Sequence, residues 1–112
     1  MKLETADSSG VTIVFVPVER LDASNSKEFK KLMEPIIEQN SKIAIDLASV
    51  RFMDSSGLGA LLSCLRAVAN QEGDLKLFGM KTAVRSLFEL VRMHRIFEIV
   101  STQEAAVDAF NL

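Results

Sequence analysis

The residues able to do chemistry in this chain are few, and the most suggestive are consecutive: Phe52-Met53-Asp54-Ser55-Ser56-Gly57-Leu58-Gly59. A Ser-His-Asp triad could be drawn from Ser55, His94 and an Asp. However, Ser55 lacks the G-x-S-x-G elbow that lifts a hydrolase nucleophile onto a strained turn, and so short a chain leaves little room for a substrate pocket. Gly57-Leu58-Gly59 is too short to be a phosphate-cradling P-loop and carries no lysine. One His and one Cys do not make a zinc set. His94 sits in the basic run Val91-Arg92-Met93-His94-Arg95, which favours a solvated role over a catalytic one. The residues therefore point away from catalysis, and no cofactor is expected.

What remains for Ser55 is to accept a phosphate. The plain reading of the segment is that Asp54 or Ser55 caps a helix and Gly57 eases the turn. The residues beyond it add a surface. Ser56, Gly59, Ser63, Arg66 and Asn70 recur at i, i+3, i+7, i+10 and i+14, a polar stripe with only small side chains in its first turn. A partner could approach the backbone closely there, with Ala60, Cys64 and Ala67 along one edge. A phosphate at a helix start brings about -1.5 to -2 charges and meets backbone N–H donors and the positive end of the helix dipole, so the fold tolerates it. Beside Asp54 it makes the tip strongly acidic. A docked partner would then face a poorly paired dianion, at a cost of about several kcal/mol, and binding would switch off.

These residues must be held by a fold of 112 residues. At about 150 residues per domain that is one domain, residues 1–112, able to bury about two-thirds of its unfolded surface. A hydrophobic fraction of 48% with 25% charged residues is ordinary for a globular chain. Net charge is -2, and seven Phe supply all the aromatic content, so neither nucleic acid nor a membrane surface is an expected partner. No apolar run approaches the roughly 18 residues of a spanning helix. The lone Cys64 and an amino terminus without an apolar signal core suggest a reducing, cytoplasmic setting. The absence of a large aromatic cluster suggests a monomer when free.

The pattern along the chain is β then α, repeated. Ser8-Ser9-Gly10 marks a turn before the strand Val11-Thr12-Ile13-Val14-Phe15-Val16, with residues 3–6 placed to pair with it as a hairpin. Asn25 and Glu28 start a helix whose apolar stripe is Phe29, Leu32, Met33, Ile36 and Ile37, kinked at Pro35. Ile43, Ile45 and Leu47 alternate with Ala44 and Asp46 as a half-buried strand, and Val50 and Phe52 lead into a second helix with buried Leu58, Leu61, Leu62, Leu65 and Val68, ended by Gly73. Leu75-Lys76-Leu77-Phe78-Gly79 is a strand, Val84, Leu87, Phe88 and Val91 a third helix, and Ile96-Phe97-Glu98-Ile99-Val100 a last strand. Ser101 and Glu104 then box the start of a helix carrying Val107 and Phe110. Strands separated by helices run parallel with right-handed crossovers. The expected architecture is α/β: a small mixed sheet of four to five strands with about four helices. Lys81, Arg85 and Arg92 lie on one edge of the third helix, and Lys76, Lys81, Arg85, Arg92 and Arg95 stand against Glu89 alone; a solvated face is the favoured reading, with a patch for an acidic partner as the alternative.

Ile45-Asp46-Leu47, Val50 and the Asp54-Ser55-Ser56-Gly57-Leu58-Gly59 core resemble the STAS-domain anti-sigma-factor antagonists, a likeness that extends to Leu21-Asp22, Leu75-Lys76-Leu77 and Val84-Arg85-x-Leu87-Phe88. The resemblance implies partner switching. The unphosphorylated form binds an anti-sigma factor that is also an ATP-dependent serine kinase, so releasing its client. Phosphorylation at Ser55 ends the complex, and a PP2C-type phosphatase reverses it. Asp22 and Ser24 would flank the acceptor, and Asp54, Ser56, Gly57, Leu58, Gly59 and Ser63 would share the partner surface. Many members carry Gly where this chain has Glu19 and Arg92, so turns there should differ; Arg92 either lets the third helix run further or takes a left-handed cap. The same helix face could instead serve a constitutive structural subunit of a transporter or signalling assembly without a phosphate cycle. A small-ligand or nucleotide-binding domain would need a pocket that the sequence does not show.

Overall fold

The computed structural model describes residues 1–111. Its five-stranded sheet has the order β1 (Glu4–Ser8), β2 (Val11–Phe15), β4 (Lys42–Asp46), β6 (Asp74–Phe78), β7 (Glu98–Val100). The first pair is antiparallel and the rest parallel. The hairpin turn is Ser9-Gly10, with φ of 52° and 84°. Positive φ at both central residues is the two-residue turn whose twist matches the strands it joins, and Gly10 meets it without strain. A second, two-stranded parallel sheet joins β3 (Arg20–Leu21) to β5 (Phe52–Met53).

Helices α1 (Ser26–Gln39), α2 (Ser55–Asn70) and α3 (Thr82–Leu90) make the crossovers between the parallel strands. Val14, Ile43, Ile45, Leu75 and Leu77 of the sheet pack with Phe29, Met33, Leu61, Val68 and Phe88 of these helices in the larger core. Phe88 and Phe97 meet edge to face, centroids 5.7 Å apart, a preferred geometry for two ring quadrupoles. The other face of the sheet is covered by α4 (Gln103–Phe110), whose Ala106 and Val107 pack on Val11, Ile13, Ala44 and Phe78. β4 is thus buried on both faces, and not half-buried as its alternation suggests; Ala44 is the small residue that lets α4 lie close to the sheet.

Several ends differ from their sequence reading. Asn25 precedes α1 without a side-chain cap; its amide instead accepts from Asp22 N and donates to Arg20 O, fastening the chain behind it. α1 runs through Pro35, which is exposed, so the Lys31 carbonyl it leaves without an N–H partner is open to water. The left-handed residue after α2 is Glu72, φ 64°. Gly73 is needed for proximity, since a Cβ there would stand 2.5 Å from the Ser41 carbonyl oxygen. α4 is capped by Thr102, whose Oγ1 accepts from Ala105 N at 3.1 Å, in place of Ser101. β7 begins only at Glu98, because Met93–Arg95 form a 3-10 turn. Arg92 takes the left-handed cap, φ 61°.

Lys76 does not belong to a solvated face. It is buried on the α4 side of β6, its Nζ 2.9 Å from Glu98 and 3.3 Å from Asp74 and 4.6 Å from the centre of the Phe110 ring. Burial alone would lower the amine's pKa, but the hydrogen bonds to Glu98 and Asp74 outweigh it and raise the pKa above 10.5. A cation whose pKa is raised on folding stabilises the fold fully below its unfolded value and loses that contribution as pH climbs through the folded one. The urea midpoint should therefore fall above about pH 10.5, and less so in Lys76→Met, a difference that paired unfolding curves would read.

Candidate functional site

Ser55 lies beyond the carboxyl edge of the parallel strands, where open α/β sheets present their sites. The β3–β5 ladder builds that corner: Arg20 pairs with Phe52 and Leu21 with Met53, and the Glu19 carbonyl accepts from Arg51 N at 2.7 Å and Phe52 N at 3.0 Å. The backbone carbonyl of Glu19 is what the turn uses, and its φ is not positive, so the missing glycine costs no left-handed strain. Alternation across β5 turns Met53 inward and leaves Phe52 42% exposed, with the Arg20 guanidinium 4.2 Å from its ring centre. Sequence reasoning missed this pair. Its signal is an aromatic residue two positions before Asp54 with a buried neighbour between them.

Asp54 caps α2 with extended backbone, φ −109° and ψ −173°. Its Oδ1 accepts from Ser56 N at 2.9 Å and Gly57 N at 3.1 Å, and its Oδ2 from Ala23 N at 3.2 Å. One carboxylate therefore starts the helix and stitches it to the loop after β3. In that loop Asp22 Oδ1 accepts from Ser24 Oγ at 2.6 Å and Ser24 N at 3.0 Å, and Oδ2 lies 3.4 Å from Arg20 Nε. Those bonds, the serine's first, hold the Asp22 carboxyl below its usual 3.8. The Asp22–Ser24 loop thus stands beside Asp54 as a preformed flank, through Ala23. The cap is worth about 1 kcal/mol by itself, and its loss also orphans Ala23 N. Asp54→Ala should lower the unfolding free energy by about 1–2 kcal/mol in urea titration, whereas an unchanged midpoint would contradict this role.

Among the expected site residues, Ser55 is exposed, Ser56 and Ser63 are half-buried, and Gly59 is exposed with open space where a Cβ would stand. Arg66 and Asn70 continue the exposed stripe. Gly57 and Leu58 are buried, so they shape the corner instead of offering contact. At Gly57 a Cβ would overlap the Leu21 carbonyl oxygen and come within 2.9 Å of Met53 Cγ. The sequence reading also gave Ser55 free N–H donors, yet those of Ser56 and Gly57 are already taken by Asp54.

Farther along α2, Ser63, Cys64 and Ala67 face Lys30, Glu34 and Ile37 of α1 across a shallow groove. Burial pushes the Cys64 thiol up to about 12, so it stays protonated and inert at neutral pH. Among the described residues no three His, Cys, Asp or Glu side chains gather as a metal set, and no helix is long and apolar enough to cross a membrane. On the third helix Arg85 pairs with Glu89 at 3.6 Å on the surface, and Lys81 is exposed.

Residues 2–106 match the STAS domain family. An anti-sigma-B factor antagonist of Listeria monocytogenes is 30% identical over 91 residues, spanning 80% of this chain and 79% of that protein. An anti-sigma-factor antagonist (STAS) domain protein from Planctomyces limnophilus superposes with a TM-score of 0.91 over 100% of both chains at 18% identity. The Bacillus cell fate determinant SpoIIAA in its phosphorylated form superposes with a TM-score of 0.69 at 20% identity, over 96% of this chain and 98% of that one. With the mixed sheet and the Asp54-Ser55-Ser56 corner in place, this chain belongs to the STAS-domain family of anti-sigma-factor antagonists.

Proposed function

We propose that this protein is a cytoplasmic, non-enzymatic regulator, one domain and monomeric when free, whose grip on an anti-sigma factor is set by phosphorylation of Ser55. The observation that carries the reading is the state of that side chain: Ser55 is exposed at the first position of α2, and among the described residues no hydrogen bond engages its hydroxyl. The partner is an ATP-dependent serine kinase of the anti-sigma-factor class. It transfers the γ-phosphoryl group to Ser55 Oγ as ADP departs and the hydroxyl proton is lost, and a PP2C-type phosphatase hydrolyses the ester. Ser56, Gly59 and Ser63 with the Asp22–Ser24 flank form the docking face, and Phe52 with Arg20 adds an apolar and cationic contact beside the acceptor. Two features support this: the corner is rigidly tied by Asp54, and phosphorylation has a precedent in the same fold, in the Bacillus determinant.

The test uses Ser55→Ala as bait in the source cell, because the unmodifiable form should trap its kinase. The recovered kinase and ATP should then add one phosphate to the wild-type chain at Ser55, read by intact mass and fragmentation, and none to the variant. If a partner is held but no phosphate is ever added, the domain is a constitutive structural subunit instead.

A further inference from the structure

At the end of the molecule opposite Ser55 the chain shows a second kind of surface. α3 begins past the carboxyl edge of β6 and must return to the amino edge before the parallel strand β7 can start, which places residues 90–96 at that far end. Four large hydrophobic side chains are exposed among the described residues, and three fall in this turn: Leu90 at 81%, Val91 at 45% and Ile96 at 52%. The charged side chains within the turn are basic: Arg92 and Arg95 are exposed, and neither joins an ion pair among the described residues. The acids at its two ends, Glu89 and Glu98, are exposed but paired with Arg85 and Lys76. The turn is also fixed in shape. Arg92 is held left-handed at φ 61°, Ile96 N and Phe97 N both donate to the Met93 carbonyl, and Phe97 is anchored in the core against Phe88.

Apolar side chains exposed together on one fixed turn, with unpaired arginines between them, suit an interaction surface. We propose that residues 90–96 dock an acidic amphipathic helix of a protein partner, its apolar side chains on Leu90, Val91 and Ile96 and its carboxylates on Arg92 and Arg95, whatever the state of Ser55. A second copy of this chain is disfavoured because a two-fold contact would set arginines against arginines. A bilayer is disfavoured because three aliphatic side chains bury less than the single acyl chain that already gives only marginal anchoring. Such a surface would keep the regulator tethered while its other end engages and releases the kinase. The docking stands independently of the role given to Ser55, and the tether rests on that role.

The test is an amide chemical-shift titration of the full chain with an amphipathic helical peptide built from leucine and glutamate. Its controls are the same helix built from leucine and lysine, and vesicles of phosphatidylcholine with phosphatidylglycerol. Shifts confined to residues 87–98 with the glutamate peptide alone, weakened at least tenfold by Leu90→Ser with Arg95→Glu and unchanged in Ser55→Asp, are expected. Both substituted side chains are solvent-exposed, so a matching amide spectrum elsewhere confirms the fold of the variant. The proposal is overturned by no shifts with the glutamate peptide, by shifts centred on α2, by loss of the response in Ser55→Asp, by vesicle binding through these residues without peptide binding, or by concentration-dependent dimerisation that Arg95→Glu alters.

Discussion

Ser55→Asp should bind the anti-sigma-factor kinase at least a hundredfold more weakly than the wild type, while Ser55→Ala should bind within a few-fold of it. A hundredfold loss is about 2.7 kcal/mol, less than the desolvation cost of one buried, unpaired charge. The structure sharpens why the new charge stays unpaired. The Ser56 and Gly57 N–H groups that would neutralise an anion at this helix start are held by Asp54 Oδ1, so aspartate or phosphate at Ser55 adds to an existing carboxylate. Arg20, the cation nearest in the β3–β5 ladder, is engaged with Asp22 at 3.4 Å and with the Phe52 ring. The charge therefore projects into solvent, harmless to the free domain and costly beneath a partner. Thermal unfolding of Ser55→Asp should stay near that of the wild type while calorimetric titration against the kinase shows the loss. Equal affinity for the kinase would remove the switch.

The alternation of strands and helices, the Asp54 start of α2 and the apolar stripe of that helix, with Leu62 and Leu65 only partly buried, were legible because each follows from side-chain type and period. The ends were not, because tertiary contacts decided them. Nothing local distinguishes Gly73 as a left-handed cap from Gly73 as a close approach; that depends on the Ser41 carbonyl from a distant turn. Lys76 looked solvated because charge alone is visible in a sequence, whereas its burial depends on α4 laying Phe110 over it and on Glu98 lying opposite it in β7. Phe52 and Arg20 lie far apart along the chain and meet only through a two-residue ladder. Short parallel pairings of that kind carry too few residues to leave a periodic trace.

Gly57→Ala should be among the most damaging single-methyl changes in the molecule. Gly57 occupies the third position of α2, directly beneath β3, and a methyl there would overlap the Leu21 carbonyl oxygen while pressing on Met53 Cγ at 2.9 Å. Met53 can yield, but the Leu21 carbonyl is backbone, and Leu21 is fully buried in the core. Relief requires the helix start to lift away from the β3–β5 ladder, pulling on Asp54 and its bond to Ala23 N. Overpacking of a well-filled interior costs about 1–3 kcal/mol and sometimes more, against a gain of at most about 1 kcal/mol from alanine's helix propensity. At roughly 4 °C per kcal/mol for a domain of this size, Tm should fall by several degrees, and kinase binding should weaken as well because the displaced elements frame Ser55. Gly59→Ala is the internal control. No atom outside its own turn of helix stands within 4 Å of its added methyl, so propensity acts alone, and Tm should hold or rise slightly even as the methyl enters the proposed docking face. A Gly57→Ala protein as stable as Gly59→Ala would mean that α2 does not rest on the Leu21 carbonyl, and that the corner presenting Ser55 is looser than its hydrogen bonds imply.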